Sequence, residues 1–179
     1  MNNFIKNPCP GIIMAFFALF SLNGSAQNPP SSIPRDTLMV AAREIIKATP
    51  FCALVSIDTT GQPQVRTMNP FPLGDEIEIW FATGRKSRKV KEIKNNPKVC
   101  VYYADHSSAK GYVTITGTAE IIDDKDLLVK MRRPYWDGIT NWQDNFVLIK
   151  ITPGTIHVIN YAHGISGDPE TSRAATITF

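Results

Sequence analysis

Metal-ligand clusters are missing from this chain. It has three cysteines and three histidines in 179 residues. His106, His157 and His163 stand apart from one another and from any Cys or acid at ligand spacing on one element. The usual zinc patterns are therefore excluded. There is no G-x-G-x-x-G and no G-x-x-x-x-G-K-[ST], so neither common nucleotide-phosphate loop is present. "HGISGD" offers His, Ser and Asp but lacks the G-x-S-x-G elbow, and neighbours along an extended segment rarely converge on one site. Long apolar runs are absent too. The longest, "GIIMAFFALFSL", has about twelve residues, too short to span a bilayer. Charge of one sign is also scarce. Nineteen Lys and Arg against sixteen Asp and Glu give a formal charge of +3, which by itself argues nothing about nucleic acid.

What the chain does have begins with that apolar run. Lys6 precedes it, and Gly24-Ser25-Ala26 follow before Gln27. A charged start, a short apolar core and small residues form the pattern of a secretory signal peptide over residues 1–26. The expectation is cleavage after Ala26, export to the periplasm, and no membrane span afterwards. A retained N-terminal anchor is the alternative. Residues 27–35, with "NPPSSIP", read as a linker, and 36–179 as one domain. Export makes a disulfide between Cys52 and Cys100 chemically possible. Both lie in apolar strand-like runs, "FCALVSI" and "KVCVYY", which favours two buried free thiols.

Periodicity predicts about seven short strands and three helices. Asp36 is placed as the cap of a first helix to Ala48, with Leu38, Ala41, Ala42, Ile45 and Ile46 on one face and Pro50 as the stop. "FCALVSI" and "QVRTMNPF" form a hairpin around "DTTGQP". "EIEIWFAT" is a third strand, "KVCVYYA" a fourth and "GYVTITGTAEII" a long fifth. Asp123 or Asp124 caps a helix that ends by Pro134. "YWDGITNWQDN" reads as a loop whose indoles serve core or interface packing, with stacking on a flat ligand left open. "FVLIKI", a turn at "TPG" and "TIHVINY" read as a closing hairpin, and the chain from Ala162 as polar and Gly-rich. Hairpin links predominate, so the expected fold is mainly β, an antiparallel Greek-key-type barrel with peripheral α-helices.

The most informative stretch is "FATGRKSRKVKEIKNNPKVCVYY", residues 81–103. A short helix starts near Ser87 and ends at Asn95-Asn96-Pro97. Around its start stand Arg85, Lys86, Arg88, Lys89 and Lys91. A helix start is the positive end of its dipole and favours acids, so these cations oppose the dipole and one another. A solvated basic face is one explanation. A bound phosphate is the other: helix-start N–H groups and convergent cations then stabilise one dianion. Thr83-Gly84 before the helix, Ser87 at its start and Arg66 on a neighbouring strand favour a phosphomonoester site. Single-stranded nucleic acid would need aromatic residues among the cations, and none lies between Arg85 and Lys98.

"QVRTMNPF", "IEIWFAT", "SRKVKEIKNNPKVCVYY" and "YVTITGTAEII" together resemble the pyridoxamine 5′-phosphate oxidase-like split barrels, in particular the general stress protein 26-like branch. The resemblance covers about residues 36–160 and implies an FMN-binding split β-barrel that dimerises around its flavin. It implies that Arg66 reaches the FMN phosphate and that Thr67 and Met68 lie on the strand running along the isoalloxazine. Ala82 and Thr83 would lie at the third strand's end, and Ser87, Arg88 and Lys89 at the phosphate. Tyr112 falls where the family often carries a glutamine near the ring. The implied partners are FMN and an unknown small-molecule substrate, with haem or a deazaflavin as the alternative cofactor. The family's vitamin-phosphate segment, of Arg-x-His type, has no counterpart in "HGISGDPETSRAATITF", so vitamin B6 oxidation is not expected. No catalytic residue is assigned.

Overall fold

The computed structural model describes residues 33–179. The expected signal segment and most of the linker lie outside the described residues. The element order is α1 (Arg35–Ala48), β1 (Cys52–Ile57), β2 (Pro63–Met68), β3 (Ile79–Gly84), α2 (Arg88–Asn95), β4 (Lys98–Ala104), β5 (Gly111–Ile122), α3 (Lys125–Lys130), α4 (Trp142–Asn145), β6 (Phe146–Asn160) and β7 (Ala175–Thr178). Single 3₁₀ turns sit at Pro134–Gly138 and Tyr161–His163. All strand pairs are antiparallel, in the order β2-β1-β4-β5-β6-β3, with β7 also on β6. The sheet is mainly β in character and curls into a half-barrel. No helix among the described residues is long and apolar enough to cross a membrane.

Alternation along the strands separates two faces. Leu54, Val101, Ile115 and Ile156 point inward and are fully buried, and α1 covers them with Leu38, Ala41, Ala42, Ile45 and Ile46. A second apolar cluster holds Leu128, Trp136, Trp142 and Leu148, with Trp80, Ala82 and Phe71 against it. Both indoles belong to this cluster. Trp136 packs 5.3 Å from Trp142 and edge-on to Phe146 at 5.2 Å. Such pairs add to the large area that each ring buries.

Several expectations are corrected. "TPG" does not turn the chain: Phe146–Asn160 is one strand. It pairs β5 along its length, β3 through Phe146–Ile151 and β7 through Thr155–Val158. The register shifts where Thr116 faces Thr155 and Gly117 faces Pro153, which leaves Gly154 as the extra residue of a bulge. A bulge tolerates a proline, which has no N–H to give a ladder. The Gly154 carbonyl instead accepts from Phe179 N–H at 3.0 Å. The polar, Gly-rich tail thus ends in a strand, so the total of seven is kept with different members. β3 is shorter than "EIEIWFAT" and starts at Ile79. Asp36 lies within the first turn of α1, and the cap position is Pro34 with no side-chain bond. Asp124, not Asp123, caps α3 by accepting from Leu127 N–H at 3.0 Å.

Cys52 and Cys100 are both free thiols. Cys52 is in the core and burial pushes its pKa up to about 12. Cys100 is only half buried. It pairs with Val55, one step out of phase with Leu54, and so lies on the outer face. The expectation of two core thiols therefore fails for Cys100.

Gly117 is where the bulge demands glycine. A Cβ there would meet the Thr152 carbonyl oxygen at 2.2 Å, whereas one at Gly154 would meet only the Thr116 carbonyl at 3.7 Å. Backbone cannot yield as a side-chain tip can. Gly117→Ala is expected to destabilise the fold by about 1–3 kcal/mol. Gly154→Ala should be neutral or slightly stabilising, because it restricts the unfolded chain. Denaturant titration of the two variants checks this; equal effects would refute the account of the bulge.

Candidate functional site

α2 bridges the two free ends of the sheet. From β3, Thr83 Oγ1 accepts from Lys89 Nζ at 2.9 Å and lies 3.3 Å from Ser87 Oγ. From β2, Arg66 Nη2 donates to Glu92 Oε2 at 2.8 Å, and Arg66 Nη1 donates to Ser56 Oγ. Ser56 in turn donates to the same Glu92 oxygen at 2.6 Å. Ser56, Thr83 and Glu92 are buried. Lys89, Arg66 and Arg88 repel one another: burial first, then Arg66, hold the Lys89 pKa below its usual value.

The local sequence explains this placement. Strand alternation turns Ser56 inward with Cys52 and Leu54, and it turns Arg66 inward opposite Leu54. In α2, Val90 and Ile93 bury one stripe, and Glu92 beside them is buried with it. Ser87 occupies the cap position but its side chain does not cap, which leaves its hydroxyl beside Thr83. The helix start has no acid in its first turn.

Of the expected site residues, Arg66, Thr83, Ser87 and Lys89 come together here. Arg88 is next to Lys89 but exposed. It lines a notch of about 270 Å³ with Asp58, Thr59, Gln64, Lys91 and Glu92. Met68 is buried in the core, while Thr67 points to the outer face. Both lie on β2, an edge strand with one side of its backbone unpaired in the sheet order. Ala82 packs into the indole cluster. Tyr112 is on the outer face of β5, with its ring 5.6 Å from that of Tyr102, and does not join the cluster within one chain. Arg85 leaves the group altogether. It forms a double contact with Asp123 and donates Nε–H to the Asp144 carbonyl at 2.8 Å.

Glu92 and Ser56 are the residues that sequence reasoning missed. Glu92 stands among lysines and Ser56 in an apolar run, and neither position by itself signals a buried polar contact. The available signal was phase: Ser56 and Arg66 are both polar at inward positions of paired strands, and such groups need partners.

A second, shallower depression of about 540 Å³ lies on the outer face, lined by Val55, Ile57, Cys100, Thr116 and Thr155 among others. None of the three histidines lines either depression. Among the described residues, no group of three or more His, Cys, Asp or Glu is placed to hold a metal.

In solved structures this fold recurs at low identity. General Stress Protein 26 from Bacillus anthracis str. Sterne is 23% identical, with 80% of this chain and 97% of that one covered and a TM-score of 0.60. An F420 reductase is 22% identical, with 64% and 94% covered and a TM-score of 0.53. A heme binding protein from Mycobacterium smegmatis is 16% identical, with 83% and 60% covered and a TM-score of 0.56. Among curated proteins none matches. The family match runs over residues 38–160, from the first buried turn of α1 to the end of β6, and so takes in every strand and helix that builds the cationic cluster: the chain belongs to the pyridoxamine 5′-phosphate oxidase family.

Proposed function

We propose that the protein is an exported, FMN-binding oxidoreductase that acts as a homodimer on a small-molecule substrate other than vitamin B6. One observation carries the cofactor assignment. Lys89 is partly buried beside Arg66, donates its hydrogen bond to the Thr83 hydroxyl, and enters no ion pair among the described residues. An ammonium held that way is stabilised by an arriving anion. The residues fit a phosphomonoester. Lys89 and the remaining N–H donors of Arg66 would hold it, with the Ser87 and Thr83 hydroxyls beside them. The unpaired edge of β2 offers backbone groups to the polar rim of a flat ring. Bound FMN supplies one- and two-electron redox chemistry, and the protein supplies binding, orientation and electrostatics.

The dimer reading rests on the outer sheet face. Val65 is 67% exposed there, and Val55, Cys100, Tyr102, Tyr112 and Thr116 continue the surface, with Lys98 as the charge at its edge. Exposed apolar faces of this kind mark interaction sites. A second copy on this face would bring its own outer-face groups, Tyr112 among them, toward the first copy. Trp136 and Trp142, the contacts expected from sequence, are 1% and 6% exposed inside the chain. The indoles themselves are thus inside the chain, while Tyr135 and Ile139 of the same loop are 60% and 37% exposed and, with Phe71, stay as candidate contacts. Export rests on the N-terminal pattern alone, and recovery of the periplasmic form with a mass starting at Gln27 tests it.

The second reading is a non-catalytic module that binds a flavin, a deazaflavin or haem on the same barrel, favoured by the F420 reductase and heme binding protein that share the fold. Haem requires an axial ligand; no histidine lines either depression, and Cys100 is the one residue of ligand type that lines the outer one. The absorbance spectrum of the purified protein separates these ligands, and turnover of a reduced nicotinamide or a dye separates enzyme from carrier.

Three outcomes are expected. Lys89→Ala and Arg66→Ala each lower FMN affinity roughly ten- to hundred-fold, the worth of a charged hydrogen bond. Riboflavin, which lacks the phosphate, changes little. Arg88→Ala has a smaller effect, and Lys94→Ala, exposed on the last turn, is nearly silent. Fluorescence titration with both flavins decides; equal losses for the two would end the phosphate reading. The affinity also depends on pH. Lys89 in the free protein loses its proton below the usual lysine pKa of 10.5. FMN affinity should therefore fall as pH rises through that lowered value, while Lys89→Arg stays flat over the same interval. Finally, light scattering with saturating FMN should give twice the chain mass, and Val65→Asp should shift it toward the monomer. A monomeric wild type would refute the shared site.

A further inference from the structure

The polar cluster beneath α2 contains an acid for which a phosphate site has no obvious use. Glu92 is the only carboxylate on the helix "RKVKEIKN". Its side chain is 7% exposed and that of Arg66 is 17% exposed. Arg66 Nη2 at 2.8 Å and Ser56 Oγ at 2.6 Å both end on one oxygen, Oε2. A carboxylate or guanidinium this deep is costly unless paired. In the free protein each of the two therefore requires the other. Lys89 is the neighbouring charge, and Glu92 also acts on it, favouring its protonated form.

We propose that Glu92 is an internal counter-ion. It occupies Arg66 in the free protein and competes with the ligand's phosphate for it, so that the flavin is held exchangeably. This inference rests on the phosphate reading above. Two effects follow from one contact. Glu92 and Ser56 fix the guanidinium in place, which lowers the ordering cost when an anion arrives. The Glu92 charge then repels that anion across a short, poorly hydrated path, which lowers its affinity. A flavin bound under both effects meets an oriented arginine, yet leaves readily because the arginine has another partner. Glu92 is thus a positioning residue that acts through Arg66.

Substitution separates the two effects. Glu92→Gln keeps a side-chain oxygen for Arg66 and Ser56 and removes only the charge. It should bind FMN roughly tenfold more tightly, after allowance for screening. Riboflavin affinity should not move, and inorganic phosphate should displace FMN less readily at equal flavin concentration. The free variant should melt below wild type, because a buried guanidinium has lost its counter-charge, and saturating FMN should close that gap. Glu92→Asp draws the carboxylate back from Arg66 and should give a smaller gain of the same sign, which keeps the proposal testable if the Gln variant does not fold. Unchanged FMN affinity in both variants, or a parallel shift of FMN and riboflavin, overturns the counter-ion role. If wild type and Lys89→Ala bind FMN equally, the phosphate reading itself has failed and the counter-ion role falls with it. Wild-type discrimination with no gain in the Glu92 variants strikes only this inference.

Discussion

Every backbone N–H and C=O in a buried strand needs a partner, and β6 meets that demand on both sides. β5 pairs one edge over twelve registered positions from Gly111 to Ile122, and β3 and β7 divide the other. The sheet can do this only by curling, with the bulge at Gly154 to absorb the mismatch. The rest of the architecture follows. β3 is carried on β6 so that its end at Thr83-Gly84 stands at the mouth of the half-barrel. The connection to β4 must then cross that mouth, and α2 is the crossing. One face of α2 takes the apolar stripe of Val90 and Ile93; its start meets β3 through Lys89, and Glu92 in its middle meets β1 and β2.

The cations that crowd the start of α2 in sequence are sorted by acceptors that lie far away in the chain. Arg85 is bound by Asp123 and by carbonyls of Asp144 and Phe146. Arg88 and Lys91 line a notch with Asp58, whose own pKa is held down to about 2 by bonds from Thr60 and Gln62. Lys89 turns to Thr83. Four of the five cations thus fall into three environments, and Lys86 is exposed. Of these helix-start cations, Arg85 alone enters an ion pair among the described residues, and Lys89 stands beside the Arg66–Glu92 pair.

Family membership and local chemistry bear on function at different levels. One barrel supports proteins described by different ligands, as the F420 reductase and the heme binding protein illustrate, so the fold alone does not select a cofactor. Selection is a property of the few side chains at the mouth. Here those are two cations, three hydroxyls and one buried acid.

The sequence by itself determined the strands whose alternation is strong, the extent of α2 and the selection of Arg66, Thr83, Ser87 and Lys89, which the fold brings together. These follow from local rules: period, caps, and charges set against a dipole. Only the tertiary structure decided that "TPG" is a bulge in a long strand, because a Pro-Gly pair is compatible with either, and the choice depends on which strands lie alongside. It also decided that Cys100 and Tyr112 face outward, that the indoles fill a core of their own, and that Glu92 is buried. A carboxylate among lysines reads locally as solvated. Its burial depends on Ser56 and Arg66, which are close to it only after the sheet has curled and α2 has closed across its mouth.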